Sequence, residues 1–253
     1  MADKVAIIGS NVSGLFAAWA CNNEGIKNIE IYSDTLYKPF VGGFQYLHDP
    51  CDLDLLSAQL QEKIIQKEFS LKHCSEMYSQ KVYGRPDIKN SIDKISFTEN
   101  TIWNLSQAVY ILWDKFGSLV KERKINTIDD FKKIKADLIF STIPISFFAP
   151  EACSSRSAFV TSFHIDSEEN QVFYDVNPDK PAYRFGVIFK QFFIESTKPS
   201  EDSKEVKKVE TLDKELIPKF PRNVIRVGRY AEWDKKVLVS DVYYKVRKKL
   251  SGR

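Results

Sequence analysis

The chain has 253 residues, 43% hydrophobic and 28% charged, enough for one medium domain, or one with an inserted lobe, to bury a full core. A net charge of +3 is too small to point to nucleic acid by itself, and no apolar run reaches the ~18 residues of a membrane span. Four cysteines (Cys21, Cys51, Cys74, Cys153) and three histidines lie scattered without metal spacing, so a reduced cytoplasmic protein with no metal site and no membrane segment is expected.

Residues 5–8 form a short buried-strand run, and Ser13-Gly14 opens an apolar stretch read as a helix over 13–23, with Gly25 at its C-cap. A second strand over 29–32 completes a βαβ unit of the expected ~30 residues. "LYKPFVGGFQYLHDP" at 36–50 reads as an ordered loop, 53–60 as a short apolar-periodic segment, and "KIIQKEFSLKH" as a possible strand. The clearest helix spans 103–119, where Trp103, Leu105, Val109, Leu112, Trp113 and Phe116 make one apolar stripe and both tryptophans belong in the core. Residues 128–134 are helical or a strand end, and "ADLIFSTIP" is a buried strand that stops at Pro144. Three alternating segments between 157 and 196 predict an antiparallel meander. The charged stretch 197–215 reads as an exposed helix or a mobile loop. The chain closes with a strand into Gly228, a loop, and a helix from about Val237.

The junction after the first strand reads Gly9-Ser10-Asn11-Val12-Ser13-Gly14, against the dinucleotide fingerprint G-x-G-x-x-G. The glycines for the tight turn and for helix–strand packing are present, while Asn11 stands where close approach to a pyrophosphate is needed. Asn tolerates a left-handed backbone, so the loop is expected to keep its shape. An acid at the end of the second strand should bind a ribose hydroxyl, yet Ser33 falls there, with Asp34 one step beyond. The expected fold is α/β: a Rossmann-like FAD/NAD(P)-binding sheet with an inserted antiparallel β-sheet lobe. The dinucleotide-binding part would comprise 1–50, 120–150 and 220–253, and a substrate or cap lobe 51–119 and 151–219.

The N-terminal block, "VGG" at 41–43, "ADLIFSTIP", "PAYRF" at 181–185 and "VGRYAEW" at 227–233 fall in an order that resembles the amine-oxidase and UDP-galactopyranose-mutase-like FAD superfamily. The chain is similar above all to short bacteriophage-encoded members with a "GAQYLH"-type loop, here Gly43-Phe44-Gln45-Tyr46-Leu47-His48. The resemblance implies an FAD site of Gly9, Asn11, Ser13, Gly14, Ser33, Gly42, Gly43, Gly228 and Arg229, with the last helix pointing its N-terminus at the flavin.

Gln45, Tyr46 and His48 are candidates to face the flavin ring, and His48 is either catalytic or a loop anchor. Arg184 either clamps a carboxylate or phosphate or pairs with Asp175 across the sheet. His164 reads as a core or sheet-surface histidine, and Trp233 either packs on a ligand or does not. The expected activity is FAD-dependent hydride transfer from a small amine or amino-acid-like substrate. Three alternatives stand beside it: a phage flavoenzyme acting on an amino-acid-modified thymidine in DNA, a non-redox mutase-like flavoenzyme, and a cofactor-free relic fold serving as an interaction protein.

Overall fold

The computed structural model describes residues 2–36, 46–53, 60–69, 74–86 and 97–252. The chain starts with β1 (Lys4–Ile8), α1 (Val12–Asn23) and β2 (Asn28–Ser33). After β3 (Glu62–Phe69) and α2 (Cys74–Tyr83) come β4 (Phe97–Trp103), α3 (Leu105–Phe116), β5 (Val120–Glu122), α4 (Asp129–Lys132) and β6 (Leu138–Ser141). Five strands follow a pair of short 3₁₀ turns: β7 (Cys153–His164), β8 (Gln171–Tyr174), β9 (Ala182–Ile188), β10 (Gln191–Ser196) and β11 (Lys204–Leu212). The chain ends with β12 (Val224–Arg226), α5 (Arg229–Glu232) and α6 (Val239–Ser251).

Among the described residues these strands form two sheets. The first is parallel throughout, in the order β12-β6-β1-β2-β5. Strands from the start, middle and end of the sequence therefore share one sheet. Its central strand β1 is buried from Val5 to Ile8, as the continuous apolar run requires of a strand covered on both faces. Helix α1 is buried from Gly14 to Cys21, a helix apolar on every side that lies between the sheet, α3 and α6. Helix α6 turns Val242, Tyr243, Val246 and Leu250 onto it.

The second sheet runs β11-β7-β10-β9-β8-β3-β4. β8, β9 and β10 form part of the expected meander, but β7 joins β10 instead of β8, and the sheet is mixed, because β3 joins β8 in parallel. Helix α2 covers one face, where Tyr78, Val82 and Tyr83 meet Ile65, Ala158, Val172, Tyr174 and Tyr183. On the opposite face Phe163 stacks on Phe192 and Phe173 on Phe185.

Three local expectations are corrected. The charged 197–215 stretch holds no helix, and its middle is not a loop: it contains β11, antiparallel to β7 at the sheet edge. Val209 is buried there, while Lys207 pairs with Glu205 and Lys208 with Glu195, so the charges sit on an edge strand that tolerates them. The helix expected from 103 starts at Leu105, because Asn104 caps it by accepting the Gln107 N–H at 3.1 Å. Trp103 consequently ends β4, and it and Trp113 flank the core half-buried instead of lying within it. Residues 54–59, part of the apolar-periodic segment, lie outside the described residues.

One lysine fastens α2 to its sheet. Lys81 Nζ donates to the carbonyls of Asp175 and Ala182, both at 2.7 Å. Lys81→Met keeps most of the stem and removes both bonds. Urea unfolding should show a loss of about 2 kcal/mol; an unchanged midpoint would mean that apolar packing alone holds the helix.

Candidate functional site

The turn after β1 is built by close approach. Gly9 has φ +101°, and a Cβ on it would lie 2.2 Å from Thr142 Oγ1, whose hydroxyl donates to the Ile8 carbonyl at 2.8 Å. A Cβ on Gly14 would lie 1.9 Å from the Gly9 carbonyl oxygen, so only glycine lets α1 approach the strand this closely. The first and last glycines of the motif thus perform their expected duties. Asn11 does so by a different route from the one expected: its backbone is extended, φ −68° and ψ 178°, not left-handed. Its Oδ1 accepts the Gly14 N–H at 3.0 Å and caps α1.

At the carboxyl ends of β1, β2 and β6 lies a crevice of about 210 Å³. Gly9, Asn11, Tyr32, Asp34, Arg123 and Lys124 are among its lining residues. Strand order reverses at β1, with β2 on one side and β6 on the other, which is where open parallel sheets bind ligands. Arg123 stands 5.2 Å over the Tyr32 ring, and its N–H donates to the Ser33 carbonyl at 2.8 Å. The Ser33 side chain is 6% exposed and accepts the Ser10 hydroxyl at 3.0 Å. Asp34, one residue on, is exposed on the crevice wall, so the carboxylate there comes from the position beside Ser33.

The last strand delivers a second glycine turn to the same place. A Cβ on Gly228 would lie 2.6 Å from Ser13 Oγ, so the turn after β12 touches the first turn of α1. The Gly228 N–H is taken by Glu232 Oε1 at 3.1 Å, and Lys245 holds the other carboxylate oxygen at 2.6 Å. Arg229 is exposed, with its Nε on the Val237 carbonyl at 3.2 Å. Trp233 is 6% exposed in a cluster with Ile145 and Val209, and its Nε1 donates to the Ser154 carbonyl. It is a core residue, not a ligand platform. Helix α6 begins at Val239, and the Asp241 carboxylate caps it by accepting the Leu238 N–H at 2.7 Å.

Residues suited to the flavin adenosine half are therefore present: a crevice at the strand ends, a carboxylate and two cations. The junction where the diphosphate would lie is different, since side chains of this chain hold both the Gly14 and the Gly228 N–H.

A second group of polar residues lies on the α2 side of the second sheet. The Tyr46 and His48 rings are 4.9 Å apart, and Lys67 Nζ stands 5.2 Å from the Tyr46 ring centre. Burial, and then the Lys67 charge, push the His48 pKa down, which favours neutral imidazole. Burial raises the Tyr46 pKa against the opposing effect of Arg184. Arg184 does not pair with Asp175, whose carboxylate instead holds Lys180 at 3.4 Å. It pairs with Glu195, directly opposite on β10, because the strand register sets those two side chains face to face. Lys208 reaches the other Glu195 oxygen at 3.0 Å. Burial alone would raise the Glu195 pKa; Arg184 and Lys208 overcome it and hold the carboxyl well below its usual range. His164 lies exposed on the sheet surface, with Nδ1 3.3 Å from Gln191 Nε2. Gly42, Gly43 and Gln45 lie outside the described residues. Lys67, Glu195 and Lys208 were not anticipated; the signal was a charged residue at an inward position of each alternating strand.

Among the described residues no helix is long and apolar enough to cross a membrane, and no group of His, Cys, Asp and Glu could hold a metal ion. Neither a protein-family model nor a curated protein sequence matches the chain. Solved structures do. Reduced UDP-galactopyranose mutase superposes with a TM-score of 0.63 at 11% identity, over 98% of this chain and 95% of that one. A flavoprotein/dehydrogenase from Cytophaga hutchinsonii gives 0.54 at 12% identity, over 99% and 79%. A variant of Klebsiella pneumoniae HpxO complexed with FAD gives 0.52 at 10% identity, over 98% and 80%. The chain has the fold of the FAD-binding flavoproteins.

Glu195 supplies a test of the buried network. Its folded carboxyl is harder to protonate than the unfolded one, so its contribution is present above the unfolded carboxylate pKa and fades as pH falls below about 4. Glu195→Gln leaves two buried cations uncompensated, and denaturant unfolding at pH 7 should show a loss of about 3 kcal/mol or more. Between pH 7 and pH 3 the variant should lose less stability than the parent; parallel curves would contradict the assignment.

Proposed function

We propose that the chain is an FAD-dependent oxidoreductase acting on a small amine or amino-acid-like substrate. The crevice at the β1 reversal point carries this reading, because open parallel sheets generally bind ligands at such a point and the lining offers partners for a nucleotide. Asp34 would hold the ribose hydroxyls, while Arg123 and Lys124 would face the adenine side or the phosphates. When bound, the flavin supplies the acceptor for hydride.

The rest of the task falls to the second sheet. Lys67, Arg184 and Lys208 outnumber the one acid among them, Glu195, so a carboxylate-bearing substrate is favoured over a neutral one. His48, its pKa lowered, would accept a proton from the substrate ammonium. A second, non-redox reading on a nucleotide-sugar is favoured by the likeness to reduced UDP-galactopyranose mutase, and a requirement for pre-reduced flavin would distinguish it. A DNA-directed alternative would use a 197–215 stretch in which Lys207 and Lys208 are already paired with Glu205 and Glu195.

Purified protein incubated with FAD and freed of excess should show the flavin band near ~450 nm. Anaerobic addition of amino acids and amines should bleach it for at least one carboxylate-bearing amine. Lys67→Met should raise the concentration needed by about tenfold or more while leaving amines without a carboxylate unaffected. A protein that retains no flavin under any condition would overturn the reading.

A further inference from the structure

Where the β1 and β12 turns meet, side chains of the chain itself hold two backbone N–H groups. Asn11 presents its side chain to the crevice and its Oδ1 to the Gly14 N–H at 3.0 Å. That oxygen thereby takes a donor of the kind that a phosphate at a helix N-terminus uses. On the facing turn, Glu232 Oε1 does likewise for the Gly228 N–H at 3.1 Å, fixed from behind by Lys245. The two turns touch through Ser13 and Gly228, so these are two sides of one junction.

We propose that Asn11 is a built-in stand-in for the cofactor phosphate, which a dinucleotide must displace, so that FAD is a dissociable and not a permanently resident ligand. The proposal rests on the flavin reading above. Asn11 caps α1 through its side chain, and glycine caps a helix nearly as well. Asn11→Gly should therefore leave α1 formed while clearing the oxygen and the Cβ from the phosphate path. The Glu232 carboxylate has a separate tether in Lys245 and stays in place in that variant, so the Asn11 contribution is read alone.

The test is binding, followed by flavin fluorescence for FAD and by calorimetry for ADP and adenosine, on the full chain and two variants. Asn11→Gly should tighten FAD and ADP by about twofold or more, the small advantage of an asparagine cap over a glycine one together with the cleared Cβ. Adenosine, which lacks the phosphates, should bind both proteins equally. Asn11→Asp keeps the cap and adds a charge, so it should weaken FAD and ADP and spare adenosine. Circular dichroism reports whether each variant folds.

If Asn11→Gly binds FAD with unchanged affinity, the stand-in is overturned and the flavin reading survives. If it binds FAD more weakly, Asn11 is a ligand to the phosphates and the proposal is equally overturned. Failure of both parent and Asn11→Gly to bind FAD or ADP would overturn the flavin reading and the stand-in together.

Discussion

Everything that positions the crevice depends on one close approach: the first turn of α1 against the carbonyl of Gly9. The 1.9 Å separation from a Cβ on Gly14 leaves room for hydrogen only. Because the helix is seated so deeply, its all-apolar surface fills the space between the parallel sheet, α3 and α6. The C-terminal helix then covers α1, and the Gly228 turn comes to rest on Ser13. A larger residue at Gly14 would lift α1 and separate two glycine turns that are more than 200 residues apart in the chain.

From this constraint the division of labour follows. The parallel sheet gathers strand ends into a crevice whose backbone could receive a dinucleotide. The mixed sheet turns charged side chains toward α2, where burial and mutual pairing fix their ionisation. The two parts meet at the segment 228–235: Tyr230 donates to the Lys207 carbonyl and Trp233 to the Ser154 carbonyl.

Much of the fold was legible because it is written in local patterns. The run at 5–8, the glycines at 9 and 14 and the strand at 29–32 specify a βαβ unit through periodicity and close packing, both short-range properties. β11 was not legible: four lysines and three glutamates between 204 and 215 look solvated until β7 and β10 supply a backbone ladder and a buried counter-charge. The same non-local pairing hid Glu195 as the partner of Arg184, since Asp175 is the nearer acid in sequence but not across the ladder. At the site, the motif revealed which residue departs from glycine at position 11. The extended backbone and the bond to Gly14 could not be read from it, because an asparagine serves a left-handed turn and a helix cap equally well.

The central claim is that a dinucleotide enters at the ends of β1, β2 and β6. Amide chemical-shift mapping of ¹⁵N-labelled protein during an FAD titration addresses it directly. Saturable shifts are expected at Gly9, Gly14, Asp34, Arg123, Lys124 and Gly228, with the Phe163–Phe192 face of the second sheet unmoved. Shifts confined to the second sheet, with the β1–α1 turn silent, would contradict it.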